Sequence, residues 1–327
     1  MSFELRPIPY DGAWPEIFRA EAQNIQSALS NLTFEIEHIG STSIAGLNAK
    51  PILDILIELK SGDLSSLKAP LVQLGYDSKD EHGIPGRSYF SRKNSGPSIG
   101  VHIHAFKTGH PAIKKHIAFR DFLRAHPKVT KEYGRLKDHL LSLPDASRDN
   151  YQERKQPFIE EINSQAITWY EENATVLRNV RKAVVYAVRN SKGLEVLVFD
   201  QIKYPEASPQ VPSGTIEINE DIFAGARREL HEESGIELSS DSLSLLGSYT
   251  MYKDHLKQFQ ERFVFLFDGR NLPDRWIHKV TGTGVDQNLE FEYYWMLVSE
   301  AKSRLQVNLG DGLEFFSEKI TALKTST

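Results

Sequence analysis

The stretch GTIEINEDIFAGARRELHEESGI, residues 214–236, decides the fold of the C-terminal half of the chain. Asp221 is a residue type that favours the N-cap of a helix, and Gly235 is typical of the position just past a helix C-terminus. Apolar residues recur between them at helical spacing. The stretch therefore predicts a helix over residues 221–233, set among strand-like segments.

Three glutamates share one face of this predicted helix. Glu229, Glu232 and Glu233 fall at i, i+3 and i+4, where like charges repel and destabilise a bare helix. Mg²⁺ and Mn²⁺ relieve such repulsion because hard cations prefer carboxylate oxygen. The alternative is a solvated helix in which Arg228 pairs with Glu232 at i, i+4.

The spacing of residues across the whole stretch favours the metal site. Counting gives Gly214, five residues, Glu220, seven residues, Arg228-Glu229-Leu230, one residue, Glu232-Glu233, one residue and Gly235-Ile236. This is the complete Nudix box. At roughly 5–8% usage for each residue type, its fixed letters would match by chance about once in 10⁸ starts. The region of residues 176–320 thus resembles the Nudix hydrolases, and its strands fit that family's α/β/α sandwich.

The resemblance implies cleavage of a nucleoside diphosphate linked to another group, with Mg²⁺ or Mn²⁺ as cofactor. It implies metal ligation by Glu229, Glu232, Glu233 and the Gly214 carbonyl, with one of the glutamates, or metal-bound water beside it, supplying the base. Arg228 would orient the carboxylates and Glu220 would hydrogen-bond within the loop and helix. Family members recruit one more acid from a late loop; the candidate here is Glu290, with Glu292 and Glu261 as rivals. The family's Pro-Gly-Gly stands here as Pro212-Ser213-Gly214, which keeps the metal-binding glycine.

A Gly-Ser turn followed by an acid on an apolar strand marks the N-terminal half. The segment EHIGSTSIAGLNAKPILDI, residues 37–55, carries the turn at Gly40-Ser41-Thr42-Ser43 and the acid at Asp54. Backbone N–H groups and hydroxyls at such a turn hold phosphate. The acid on the strand would hold a metal ion, as in nucleotidyltransferases.

The order of several strings extends this pattern over residues 5–165. PYDGAWPEIF, the segment just quoted, HIHAF, FRDFLRAHPKVTKEYGRLK and YQERKQPFI follow one another, and together they resemble the GrpB family. The resemblance implies a nucleotidyltransferase-like mixed sheet with helices. Leu56 stands where that superfamily places a second acid, which argues against the usual two-metal transfer. His102 and His104 alternate onto one strand face and could supply ligands, or could be ordinary surface histidines.

The N-terminal half also has the charge to bind a phosphorylated ligand. Residues 107–138 hold nine Lys and Arg residues against three acids. The predicted phosphate or nucleotide contacts are Gly40, Ser41, Thr42, Lys50, Asp54, Arg87, His102, His104, Arg120, Tyr151 and Lys155. Exposed side chains with no ligand are the alternative for the basic residues among them.

Bulk composition limits the function classes. The 327 residues suggest two α/β domains, residues 1–174 and 175–327. The absence of cysteine excludes disulfides, thiolate nucleophiles and cysteine-zinc sites. A net charge of −5 gives no reason to expect nucleic acid as a partner. The start of the chain lacks a signal-peptide pattern and no apolar run could span a bilayer, so a cytoplasmic protein without membrane attachment is expected.

Three functions remain compatible with these patterns. The first is a Nudix hydrolase whose N-terminal domain binds the substrate or a related nucleotide. The second is a bifunctional nucleotidyltransferase and hydrolase, which the missing second acid disfavours. The third is a nucleotide-sensing binding protein, for which a full set of metal-ligating glutamates would be unnecessary. In each case the partner is a small nucleotide or phosphorylated molecule, and no oligomeric state is predicted.

Overall fold

The computed structural model describes residues 7–93, 99–145, 147–282, 284, 286–306 and 308–322. The chain divides into two compact units. One comprises Met1–Leu177 with Met251–Lys257, and the other Arg178–Thr250 with Gln258–Thr327. Each unit holds one mixed sheet with helices, which confirms the predicted α/β fold class.

The first unit contains a five-stranded sheet in the order β1-β2-β5-β4-β3. Its elements in chain order are α1 (Trp14–Ala28), β1 (Phe34–Ile39), β2 (Ile52–Leu59), α2 (Lys68–Gln73), β3 (Asp77–Ser78), β4 (Ser88–Arg92), β5 (Gly100–Lys107), α3 (Pro111–Ala125), α4 (Pro127–Ser142) and α5 (Arg148–Asn173). The apolar strand predicted to carry Asp54 is β2, and the strand predicted to carry His102 and His104 is β5.

Strand β2 separates an apolar face from a functional one. Successive side chains of a strand point to opposite faces, and Leu53, Ile55 and Ile57 are fully buried in one core cluster. Asp54 lies on the other face. Because β2 pairs with β5 in parallel, Asp54 is aligned with His102. The alternation that buries the apolar residues therefore brings the predicted acid and histidines to one face.

Two helices, α3 and α4, carry most of the basic segment of residues 107–138. α3 ends at Ala125 and α4 begins at Pro127, with His126 between them at φ −122° and ψ 75°. Proline removes a helical N–H donor and disfavours the α conformation of the residue before it. The proline therefore starts α4 as a separate helix.

The second unit contains a seven-stranded sheet in the order β11-β12-β7-β6-β10-β9, with β8 paired to β6. Its elements are β6 (Arg178–Asn190), β7 (Leu194–Gln201), β8 (Ser213–Ile216), α6 (Ile222–Ser234), β9 (Ser244–Lys253), β10 (Gln258–Asp268), β11 (Arg275–Lys279), β12 (Glu290–Leu297), α7 (Val298–Arg304), α8 (Asp311–Phe315) and α9 (Ser317–Ala322). The three short C-terminal helices were not predicted, because each is too short to establish a helical period.

Helix α6 packs on this sheet through its apolar side. Ala226 and Leu230 are fully buried in the core cluster that also contains Val185, Leu197 and Phe265. The carboxylate-bearing side of the helix is thereby turned toward β8 and the neighbouring loops. Across the described ranges, we find no helix whose length and apolar character would let it cross a membrane.

Candidate functional site

Helix α6 begins and ends where its capping residues predict. Asp221 Oδ1 accepts hydrogen bonds from the N–H groups of Phe223 and Ala224, each 3.0 Å long. Gly235 ends the helix in the left-handed conformation at φ 73°. Glycine at position 225 makes room for Glu220, because a Cβ there would lie 2.9 Å from Glu220 Oε2.

Two of the helix glutamates press against the backbone of β8. A Cβ on Gly214 would lie 1.8 Å from Glu229 Oε2, so only glycine permits this approach. The Ser213 N–H donates a 2.9 Å hydrogen bond to Glu233 Oε2. The Nudix-box glycine and its glutamates, predicted to act together, are therefore adjacent.

Arg228 is bound on several sides. Its guanidinium donates to Glu220 Oε1 at 2.8 Å, to Glu229 Oε1 at 3.0 Å and to the Thr215 carbonyl at 2.9 Å. It also lies 3.5 Å from Glu232 Oε2, which is the i, i+4 pair of the solvated-helix alternative. The hydrogen bonds from Arg228 lower the pKa of Glu220 to about 2. Arg228 thus ties the loop that carries Glu220 to the helix.

Burial raises the pKa of two glutamates of the helix, Glu233 and Glu229. Glu233 is 9% exposed, and its burial raises the pKa of the carboxyl well above its ordinary value, with Glu229 and Asp286 adding to the rise. Burial also raises the pKa of Glu229, against the opposing effect of Arg228. Carboxylates held in this way are stabilised by a nearby cation. Within the described ranges, no three His, Asp or Glu side chains are grouped closely enough to hold a metal ion.

Lys182 and Asp286 belong to this cluster, and the sequence did not predict them. Lys182 lies on β6; burial lowers its pKa, and Glu229, Glu233 and Asp286 act in the opposite direction. Asp286 lies in the loop between β11 and β12. That loop also contacts the helix: the Thr281 N–H donates a 3.0 Å hydrogen bond to the Glu232 carbonyl. The only available signal was the position of Asp286, four residues before the predicted Glu290.

The predicted additional acid lies in a separate cleft. Glu290 begins β12 opposite Lys279 of β11. Together with Lys203 it lines a shallow cleft of about 260 Å³. Of its rivals, Glu292 accepts a 2.7 Å hydrogen bond from Arg275, and Glu261 lies on β10 aligned with Arg181. Asp286 is the late-loop acid whose charge acts on Glu233.

In the first unit, Asp54 meets both predicted histidines. His102 Nδ1 lies 3.4 Å and His104 Nε2 3.7 Å from Asp54 Oδ1. Burial alone would raise the pKa of Asp54, but its interactions with the two imidazoles outweigh this effect and leave the pKa below its ordinary value. Arg87 lies behind His104, with Nη1 3.2 Å from His104 Nδ1. These groups form a connected polar centre.

The Gly-Ser turn closes over the same carboxylate. Gly40 has φ 70°, and a Cβ there would lie 2.3 Å from Asp54 Oδ2. Thr42 Oγ1 donates to the Ile52 carbonyl at 3.2 Å, and Ser43 Oγ donates to the Gly40 carbonyl at 2.6 Å. These two hydroxyls therefore hold the turn together. Ser41 is partly exposed and its hydroxyl accepts a hydrogen bond from Lys137.

The predicted basic and aromatic partners separate into two groups. Lys50 and Lys155 both lie over the Tyr151 ring, at 5.5 and 5.1 Å from its centroid. Arg120 is instead engaged by carboxylates, at 2.6 Å from Glu37 Oε2 and 2.8 Å from Asp121 Oδ1. Its charge is largely neutralised within the fold.

The position of the missing second acid is apolar. Leu56 is 1% exposed and packs with Ile39, Phe106 and Ile113. A carboxylate at this position would face hydrocarbon rather than Asp54. The departure seen in the sequence is thus built into the packing of the sheet.

Comparison with known proteins gives two matches, one for each half. The family model described as GrpB protein matches residues 5–165, and the NUDIX domain model matches residues 179–313. The Glutamate-rich protein GrpB of Alkalihalophilus pseudofirmus is 31% identical over 159 residues, which cover 47% of this chain and 91% of that protein. The chain belongs to the GrpB family. It also carries a Nudix domain, so both predicted resemblances are confirmed.

Two further relatives of the GrpB half differ in length. The UPF0157 protein YqkA of Bacillus subtilis is 38% identical over 163 residues, covering 50% of this chain. This chain spans only 47% of that relative. The crystal structure of conserved protein GrpB from Enterococcus faecalis has 34% identity and covers 51% of this chain and 99% of its own, with a TM-score of 0.47.

Proposed function

We propose that the protein is a divalent-metal-dependent hydrolase that cleaves a diphosphate linkage in a nucleoside diphosphate derivative. The reaction belongs to the Nudix domain. One observation carries the proposal: the partly buried Glu229 and the buried Glu233 lie against the β8 backbone at Gly214 and Ser213, where burial raises the pKa of each carboxyl. Buried carboxylates held close together are costly unless a cation compensates them.

The donor atoms present suit Mg²⁺ or Mn²⁺, and the glutamates would have to move closer together to hold either ion. The donors are oxygens only, which suits hard cations. Glu229, Glu232, Glu233 and the Gly214 carbonyl would hold the ion. When bound, it would neutralise phosphate charge and activate water for attack at phosphorus. To bind the ion, Glu229 would give up its 3.0 Å hydrogen bond from Arg228.

Arg228 and Glu220 act as positioning residues. Arg228 retains two bonds to Glu220 when it releases Glu229, since its Nε and Nη2 reach the two carboxylate oxygens at 2.8 and 2.9 Å. A bidentate pair of this kind fixes the guanidinium plane. The helix face is thereby kept in place while its glutamates bind the ion. Lys182, among the same acids, is suited to contact a substrate phosphate.

The experiment is a substrate screen on the full chain. Nucleoside diphosphate derivatives are incubated with Mg²⁺, with Mn²⁺ or with excess chelator, and the released phosphate-containing products are separated by chromatography. We expect cleavage of at least one derivative between its two phosphates, only when a divalent cation is present. Cleavage that persists in chelator contradicts the proposal.

For the N-terminal domain we infer a binding role toward a phosphorylated ligand. Gly40 brings the turn onto Asp54, and Ser41 of that turn is partly exposed. Leu56 in place of a second acid supports binding over nucleotidyl transfer. The bifunctional alternative is tested in the same screen: transfer of a nucleotidyl group to an added alcohol or to the protein would favour it.

A further inference from the structure

Three lysines from three different segments meet beside the Gly-Ser turn. Lys50 precedes β2, Lys137 lies in α4 and Lys155 in α5. Lys50 and Lys155 lie over the Tyr151 ring, at 5.5 and 5.1 Å from its centroid. Lys137 lies over the neighbouring Tyr133 ring, at 4.7 Å. The sequence analysis predicts two of these lysines as phosphate contacts, the outer lysines Lys50 and Lys155, but not Lys137.

Lys137 is the deepest of the three. It is 3% exposed, and its Nζ donates to the Ser41 hydroxyl at 3.3 Å and to the Asn48 carbonyl. Both acceptors are neutral. Burial lowers the pKa of Lys137 to about 7, with Lys155 adding to the effect and Asp138 opposing it. A buried ammonium with such surroundings is stabilised by an anion.

Lys155 also lies in a region with little compensating negative charge. Burial lowers the pKa of Lys155, and the neighbouring Lys50 lowers it further, against a weaker opposing effect of Asp54. Asp54 itself is engaged by His102 and His104. Cations that repel one another in a poorly solvated region form a site to which an anion binds strongly.

We propose that Lys50, Lys137 and Lys155 form, with the Ser41 hydroxyl, a binding site for a pyrophosphate or longer polyphosphate group. Lys137 and Ser41 hold one phosphate, and the two lysines at Tyr151 hold the next. A single phosphate carries about two negative charges near pH 7, fewer than the three cations. This inference rests on the proposed binding of a phosphorylated ligand; it names the ligand class and adds Lys137 as a binding residue.

Binding in this site takes up a proton. Before binding, Lys137 is charged in only part of the molecules near pH 7, because burial and Lys155 outweigh Asp138. The anion raises the pKa of Lys137, so the amine gains a proton at pH values between the free and the bound pKa. By linkage, the lysine's contribution to affinity is complete below pH 7 and falls as pH rises above it.

Titration calorimetry of the full chain tests the proposal. Inorganic pyrophosphate and inorganic phosphate are titrated at pH 7.5 in excess chelator, in two buffers of different ionisation enthalpy, and melting curves verify that each variant is folded. We expect pyrophosphate to bind about tenfold or more tightly than phosphate, with net proton uptake. Lys137→Met should weaken pyrophosphate binding about 10–100-fold and remove the uptake, as for a lost hydrogen bond to a charged group.

The matched control is Lys131→Met, an exposed lysine on the same helix, which should bind as the unchanged chain does. Lys155→Met is a second test at a partly exposed position, and it should weaken pyrophosphate more than phosphate. Equal affinity for the two anions, or undiminished binding in Lys137→Met, overturns the proposal. Metal-dependent hydrolysis is assayed separately on the unchanged chain. If no hydrolysis is found but pyrophosphate binds as expected, the proposed hydrolase function is wrong and the lysine site is retained.

Discussion

The carboxylate of Glu229 occupies the space that a Cβ atom on residue 214 would need. A Cβ built on Gly214 falls 1.8 Å from Glu229 Oε2 and 2.0 Å from its Cδ. Strand β8 and helix α6 are thus fitted together at the point where the Nudix box begins and its glutamates project. The glycine is required by this close approach and not by a special backbone angle.

Gly214→Ala should therefore remove the hydrolase activity. The methyl group displaces Glu229, and a misplacement of about 1 Å in a catalytic group can cost about 10²-fold in rate. The measurement is kcat with the substrate found in the screen, together with a melting curve. Gly134→Ala is the control: this glycine lies in the first unit, a Cβ there would come no nearer than 3.5 Å to the Leu47 side chain, and the hydrolase activity should be unchanged. Full activity in Gly214→Ala would remove Glu229 from the site.

Glu232→Gln should lower kcat by about 10²-fold or more. The substitution keeps the shape of the side chain and removes one of the negative charges proposed to hold the ion, and loss of even a residue supporting a ligand costs about 10–100-fold. Glu237→Gln changes an exposed glutamate just past the same helix and should have no effect. A rate within a factor of two of the unchanged chain, at saturating Mg²⁺, contradicts the assignment of Glu232.

Helix α6 could be predicted almost completely, because its signals are local. Asp221, Gly235 and the glutamate spacing all act within one short stretch of chain. Lys137 could not be assigned, although it was recognised within a basic segment. Its partner Ser41 is 96 residues away in the sequence, and α4 is positioned by the break at Pro127. The sequence holds no short-range signal for such a contact.

Residue type alone does not show whether a side chain has a partner within the fold. Arg120 belongs to the same basic segment as Lys137, yet Glu37 and Asp121 occupy its guanidinium. Thr42 lies in the predicted phosphate turn, yet its hydroxyl is donated to the Ile52 carbonyl. In both cases an internal partner takes up the group, and the identity of that partner depends on packing between distant segments.

Acid should weaken the second unit through Glu220. Its hydrogen bonds from Arg228 lower the pKa to about 2, from an ordinary value of 4.5. A lowered folded-state pKa gives stability that is complete above the unfolded value and is lost as pH falls from about 4.5 toward 2. The contribution is about 1–3 kcal/mol after allowance for partial solvent exposure.

Urea unfolding of the unchanged chain and of Glu220→Gln, at pH 6 and pH 3, measures this contribution. The difference in unfolding free energy between the two proteins should be largest at pH 6 and shrink by about 1–2 kcal/mol at pH 3. Subtraction of the variant cancels the other titrating acids. A difference that is independent of pH would show that Glu220 contributes only by shape.

A chain beginning at Asn173 should fold and retain metal-dependent hydrolysis. The second unit has its own core, built from β6, β7, β10, β12 and the buried face of α6. All the proposed metal ligands lie within it. Solubility, a cooperative melting transition and the rate relative to the full chain are the measurements. An insoluble fragment would show that the proposed boundary near residue 175 is wrong.

Asp54→Asn should abolish any dependence of ligand binding by the N-terminal domain on Mg²⁺ or Mn²⁺. The amide keeps the shape that Gly40 closes over, but it removes the negative charge that a cation would need. It also weakens the contacts from His102 and His104, at 3.4 and 3.7 Å, because charged acceptors form the stronger hydrogen bonds. Some loss of melting temperature is therefore expected in either case.

Calorimetric titration with nucleotides, with and without divalent cation, separates a binding role of Asp54 from a structural one. If the Asp54 carboxylate takes part in ligand binding, the nucleotide affinity of Asp54→Asn should be independent of the cation. A purely structural carboxylate predicts a lower melting temperature with the cation dependence intact. Asp77→Asn, an exposed position on the short strand β3, is the control for removing one negative charge from the same unit. Its affinity and its cation dependence should match those of the unchanged chain, because charge lost at the solvent-exposed edge is screened.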